Sequence, residues 1–170
     1  MDMWHSVETV FEADIKEKQL HFSSEVEIQH RYVLCDKTRV QEIFLNIVSN
    51  AIKYTPVGQA IHIKLCEVPP SEVEKARYIF TCLDTGIGMS QDYLPHIFEE
   101  FSRERSSTEN QVIGTGLGLS IVKSMIELMG GEIHVESHKG CGTCFRVDLP
   151  LHLTDESEVK REETEAASDQ

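Results

Sequence analysis

Apolar residues recur along this chain in two rhythms, one of three and four, the other of two. Between Thr38 and Tyr54, the residues Val40, Ile43, Phe44, Ile47, Val48, Ala51 and Ile52 return at helical spacing and form one wide apolar stripe. Asp36 or Thr38 caps the start of this helix, and Thr55-Pro56-Val57-Gly58 stops it. Val7 to Lys16 reads as a helix too, with Val7, Val10, Phe11, Ala13 and Ile15 to one side. Leu117 to Met129 predicts a third, ended by Gly130-Gly131. Alternation predicts strands over Leu20 to Ile28, Arg31 to Leu34, Ile61 to Val68 and Tyr78 to Asp84. Glu132 to Ser137 and Thr143 to Leu151 predict a hairpin across His138-Lys139-Gly140-Cys141-Gly142. Pro69 to Ala76 reads as a loop or a turn of helix, and Gln91 to Phe98 as a short helix carrying Tyr93, Leu94 and Ile97. Interspersed strands and helices of this number predict an α/β (α+β) two-layer sandwich.

Composition narrows the class. The 170 residues suffice for one domain with a sizeable core, at 40% hydrophobic and 26% charged residues. No apolar run approaches the roughly 20 residues that span a bilayer, and no signal-peptide pattern opens the chain, so a cytoplasmic domain is expected. The formal charge is −13, of which −5 falls in the stretch from Asp155 to Gln170. Such a field disfavours nucleic acid and anionic membrane as partners, so any phosphate site must be built locally. Residues 1–152 read as the domain, and 153–170 as an acidic disordered tail or linker. Cys66 and Cys82 sit in apolar runs and read as small buried side chains. Cys141 and Cys144 make a CxxC, but it leads into a strand and has no second ligand pair, so a structural reading is preferred to zinc or redox chemistry.

Three features carry candidate chemistry. On the Thr38–Tyr54 helix, Glu42, Asn46 and Asn50 follow at four-residue steps, with Lys53 close by. Amide oxygens there suit Mg²⁺, and an exposed polar stripe is the alternative. Asp84 ends an apolar strand where Gly86 and Gly88 let the backbone turn tightly. An ionised carboxylate only accepts hydrogen bonds, so it fits the exocyclic amine of adenine and opposes the carbonyl of guanine; a plain Asp-Gly turn is the alternative. Gly114-Thr115-Gly116-Leu117-Gly118-Leu119 lacks the third glycine of the dinucleotide fingerprint and the lysine of a P-loop. It remains a glycine run feeding a helix start, where free N–H groups favour phosphate. Arg103 and Arg105, upstream, either add charge to the β and γ phosphates or stay solvated.

Taken in order, Asn46-x-x-x-Asn50-Ala51-x-Lys53-Tyr54-Thr55-Pro56, Asp84-x-Gly-x-Gly, Phe98-Glu-Glu-Phe101, Gly-Thr-Gly-Leu-Gly-Leu and Gly140-Cys-Gly142-Thr143 resemble the catalytic, ATP-binding domain of two-component sensor histidine kinases. They match the N box, first glycine box, F box, second and third glycine boxes of that family, over roughly Val7 to Leu151. The resemblance implies a Bergerat-type ATP-binding fold, with a mixed sheet on one side and three helices on the other. It implies Mg²⁺ at Asn50 with Asn46 assisting, and Lys53 and Tyr54 along the phosphate, ribose or base. Asp84 would bind adenine, approached past Gly86 and Gly88 and supported by Thr143. Residues from about Glu99 to Gly116 would form a mobile lid, hinged at Phe98 and Phe101.

In the hydrolytic relatives a glutamate stands where this chain has Asn46, and an amide cannot take a proton from water. Transfer to another residue rather than hydrolysis is therefore expected, with Asn46, Asn50 and Lys53 as the catalytic set. Glu42, one turn earlier, is the residue that would permit a slow ATPase instead. A nucleotide-sensing module without transfer is a further reading, and a serine-directed kinase of the anti-sigma-factor type a weaker one. None of the eight histidines has the family's phosphoacceptor context. The expected partners are thus ATP, a separate dimerisation and histidine-phosphotransfer domain, and a downstream response regulator. The fragment is expected to be a monomer, without membrane contact of its own and unable to autophosphorylate alone.

Overall fold

A computed structural model describes residues 3–72, 75–100 and 118–158. Three helices, α1 (Met3–Glu17), α2 (Lys37–Tyr54) and α3 (Gly118–Leu128), accompany six strands. The strands are β1 (His21–Glu27), β2 (Val33–Leu34), β3 (Ala60–Glu72), β4 (Lys75–Asp84), β5 (Glu132–His138) and β6 (Gly142–Leu153). The sheet runs β1-β3-β4-β6, and the far side of β6 is shared by β5 and β2. β1 pairs with β3 in parallel and every other pair is antiparallel, so the sheet is mixed.

Alternation along β4 places Ala76, Tyr78, Phe80, Cys82 and Asp84 on one buried face. Register then brings Ile61 and Ile63 on one side and Thr143, Phe145, Val147 and Leu149 on the other into the same layer. The helices cover this face. Phe80 stacks on Phe44 of α2, with centroids 4.4 Å apart, and meets Trp4 of α1 edge-on at 6.0 Å. All seven residues of the α2 stripe are buried. On α1 only Trp4, Val7 and Phe11 are, while Val10 and Ala13 face outward.

Asp36, not Thr38, is the cap of α2: its backbone is extended and its carboxylate accepts the Arg39 N–H at 3.0 Å. Replacing Asp36 by Ala is expected to cost about 1 kcal/mol of folding stability, measured by urea unfolding. Pro56 forces Thr55 into extended backbone, and the helix ends there. The ammonium of Lys18 closes that end by donating to the carbonyls of Ile52 (2.6 Å), Lys53 (3.4 Å) and Thr55 (2.9 Å). At the end of α3 the Gly131 N–H donates to Ile126 O and the Gly130 N–H to Glu127 O, with Gly130 at φ +75°. That double bond is the Schellman stop that Gly130-Gly131 predicts.

Three local expectations need correction. β3 continues through Pro69 and Pro70 to Glu72 instead of giving way to a loop. Its pairing with β1 ends at Cys66, so the missing proline N–H groups face no partner strand on that side, and the register with β4 shifts between Val68 and Glu72. Gln91 to Phe98 makes only turns and a single 3-10 turn, Leu94–His96, because Pro95 has no N–H for a helical bond. Cys82 is buried as expected, whereas Cys66 is half-buried because it falls on the opposite sheet face. Cys141 and Cys144 are free thiols. Of the acidic segment, Thr154 donates its N–H to Tyr32 O and Asp155 caps Ser157 and Glu158; residues 159–170 lie outside the described residues.

Candidate functional site

Asp84, Thr143 and Ser137 stand in one row at the end of the sheet, on the helix-covered face, because register pairs Asp84 with Thr143 and Thr143 with Ser137. All three are buried. Asp84 Oδ1 accepts the Gly86 N–H at 2.8 Å and the Thr143 N–H at 3.2 Å. Both bonds go to the same oxygen, which leaves Oδ2 with neither. Burial pushes the Asp84 carboxyl above its ordinary value, and the two N–H groups only partly oppose that rise.

The turn after Asp84 is fastened on three sides. The Ile87 N–H donates to Tyr54 O at the end of α2, and Thr85 exchanges bonds with Ala60 at the start of β3. β5 and the β5–β6 turn supply the third fastening, through Gly140 N–H to Ile87 O at 2.7 Å and Met89 N–H to Ser137 Oγ at 2.9 Å. Backbone approach is close enough to require glycine. A Cβ on Gly86 would lie 2.4 Å from Tyr54 O, and one on Gly88, at φ +63°, 2.0 Å from His138 O. Gly86 and Gly88 are therefore packing elements that let α2, β4 and the β5–β6 turn meet.

Along α2, Asn46 and Asn50 are half-buried and Tyr54 is exposed. Asn46 Nδ2 donates to Glu42 O at 2.8 Å, which fixes its amide so that Oδ1 faces the start of α3. A Cβ on Gly118 would stand 3.2 Å from that oxygen. The carboxylate of Glu42 points from an exposed position. Lys53 Nζ lies 5.4 Å from the centre of the Tyr54 ring. Phe98 packs against the core, with Lys123 Nζ of α3 5.5 Å from its ring. Leu119 is half-buried and packs against the same core, which gives it a packing role. Arg103, Arg105, Gly114, Thr115, Gly116, Leu117 and Phe101 lie outside the described residues.

The structure thus brings together Asp84, Gly86, Gly88 and Thr143 beneath the end of α2, with Asn46 and Gly118 facing each other about two helix turns away. Two residues here went unnoticed in the sequence. Ser137 is signalled only by a polar residue at an inward position of the alternating Ile133, Val135, Ser137 series. Lys18 carries no local signal, since the carbonyls it holds lie more than thirty residues away.

A family model described as histidine kinase-, DNA gyrase B- and HSP90-like ATPase matches residues 35–153. The chain belongs to this family. It is 38% identical over 120 residues to the autoinducer 2 sensor kinase/phosphatase LuxQ of Vibrio harveyi, covering 70% of this chain and 14% of that protein. Among solved structures it is similar to full-length ShkA in complex with AMPPNP, at TM-score 0.74 and 27% identity, over 89% of this chain and 30% of that one. The nucleotide-free catalytic domain of histidine kinase ThkA matches at TM-score 0.65 and 28% identity, over 87% of this chain and 90% of that one. The mixed sheet under three helices is the arrangement that the family resemblance implies, and its relatives are sensor histidine kinases. Among the described residues, no helix is long and apolar enough to cross a membrane.

Proposed function

We propose that this chain binds ATP between α2 and the glycine turns and donates its γ-phosphoryl group to a histidine on a separate dimerisation domain. The observation that carries the reading is Asp84, a buried carboxylate whose backbone bonds are both taken by Oδ1. An acceptor held ready in a buried position matches the exocyclic amine of adenine. Gly86 and Gly88 bring the backbone to the base, and Thr143 supports Asp84 through its N–H. Lys53, Tyr54, Gly114, Thr115, Gly116, Leu117, Gly118 and Leu119 complete the nucleotide site by motif, with Arg103 and Arg105 from the lid.

The donor set also fits Mg²⁺, since amide oxygens are hard ligands and Asn46 presents Oδ1 while its nitrogen is engaged by Glu42 O. Asn50 and Asn46 would hold the ion, which neutralises charge across the phosphates when bound. The residues of this chain bind and orient the nucleotide, and an amide at position 46 withholds the base that hydrolysis needs. The phosphohistidine would then serve a response regulator. The catalytic domain is read as residues 1–152, with 153–170 as linker or tail, working on the cytoplasmic side of a longer protein.

Calorimetry with AMPPNP tests this reading. We expect binding that strengthens with Mg²⁺, and an Asn50→Ala variant that binds equally with and without the ion. Phosphorylation of a histidine-bearing helical hairpin added in trans, with ATP as donor, is the accompanying assay. A folded protein that binds nucleotide independently of Mg²⁺ would remove the assigned role of Asn50. Slow phosphate release that disappears in Glu42→Gln would favour the ATPase reading instead.

A further inference from the structure

Ser137 lies where the two glycine turns around the base meet, and its hydroxyl is saturated. The residue is 3% exposed and sits beside Thr143 in the β5–β6 register. Its Oγ lies 2.9 Å from each of three groups, the Met89 N–H, the Gly142 carbonyl oxygen and Thr143 Oγ1. Two of these have fixed chemistry, because an amide N–H only donates and a carbonyl only accepts. Serine has one proton, and the Gly142 carbonyl takes it. The bond between the two hydroxyls then has a single direction, with Thr143 donating and Ser137 accepting.

That direction has a consequence for the ligand. With its proton directed at Ser137 Oγ, Thr143 Oγ1 offers only lone pairs on its remaining side. Asp84, its cross-strand neighbour, offers only lone pairs when ionised. We propose that Ser137 is a specificity-determining positioning residue. By holding the Thr143 proton it leaves the base site lined with acceptors, Asp84 Oδ2 and Thr143 Oγ1, which admit a purine amine and oppose a purine carbonyl. A Thr143 hydroxyl free to rotate would serve either purine, donating to a carbonyl as readily as accepting from an amine. The inference rests on the nucleotide reading above and adds a residue that acts without touching the ligand.

The test is the ratio of affinities for AMPPNP and GMPPNP in wild type, Ser137→Ala, Thr143→Val and the double variant, each first checked for cooperative melting. Wild type should prefer AMPPNP. Ser137→Ala should reduce that preference roughly tenfold, the scale of one hydrogen bond changing from opposed to made. Because Ser137 acts through Thr143, adding Ser137→Ala to Thr143→Val should change the ratio no further. A merely structural Ser137 would weaken both nucleotides in proportion, or would shift the ratio as much without the Thr143 hydroxyl; either result overturns the proposal. Should Ser137→Ala not fold, Thr143→Val decides alone. Removing an acceptor lowers the adenine preference, whereas removing a donor raises it. A wild type that binds neither nucleotide, or binds both equally, overturns the site reading itself and the proposal with it.

Discussion

An Asp84→Asn variant loses adenine nucleotide binding and, without nucleotide, melts at a higher temperature than wild type. The two effects have one cause. Asp84 is 4% exposed, and burial penalises its charged form more than the Gly86 and Thr143 N–H groups favour it. Its folded pKa is therefore raised above the ordinary 3.8. The folded protein keeps the proton over a pH range where the unfolded chain has released it, so stability falls as pH rises through that range. Above it the penalty is constant and fully present. Asparagine removes the charge while its Oδ1 still accepts both N–H groups. Its Nδ2, however, replaces an acceptor by a donor where the adenine amine would approach. Losing a hydrogen bond to a charged group and opposing two donors should weaken AMPPNP binding by about a hundredfold. Calorimetry and thermal melts between pH 6 and 8 read both effects. Unchanged affinity would remove Asp84 from the base site. A lower melting temperature would mean that its backbone bonds outweigh its desolvation.

This carboxylate also marks how far the sequence could be read. The α2 stripe and the Asp84-x-Gly-x-Gly turn were legible because each is a local pattern, one a period and the other a need for unhindered backbone. Pro69 and Pro70 misled because a proline usually ends a strand, and only the end of β1 at Cys66 shows that no neighbour requires their N–H groups. Pro95 had the opposite effect: its missing N–H cut an expected helix to one 3-10 turn. What stayed hidden depends on register. Asp84, Thr143 and Ser137 come from three strands, and nothing local says that they share a row. The Lys18 clamp is equally remote, since it fixes the carbonyls around Tyr54 from the far end of α1. Motifs thus pointed to the atoms proposed to face the nucleotide, while the atoms that hold them in place appeared only with the fold.

Among the described glycines Gly142 leaves the least room for a methyl group, so Gly142→Ala should be strongly damaging, and Gly140→Ala, two residues away, is the control that shows why. Both glycines have positive φ, +99° and +81°. An alanine at either position therefore bears the left-handed backbone penalty, about 1–2 kcal/mol. Around Gly140 there is nothing within 4 Å of an added Cβ. At Gly142 the Cβ would lie 1.9 Å from Asp84 O and 2.9 Å from both Asp84 C and Thr85 Cα. These are backbone atoms of the paired strand, so no rotamer change relieves the clash; β6 must move away from β4. Movement there breaks the Thr143 N–H bond to Asp84 Oδ1 and displaces the Gly142 carbonyl from Ser137. The expected cost is on the order of 4 kcal/mol for Gly142→Ala, with AMPPNP binding lost in whatever fraction remains folded. Gly140→Ala should keep its N–H bond to Ile87 O and bind nucleotide nearly as wild type. Urea unfolding of the pair separates the two contributions. Equal losses would leave only backbone conformation as the reason for glycine, and a larger loss at 142 isolates the contact with Asp84 that aligns the third glycine turn with the end of β4.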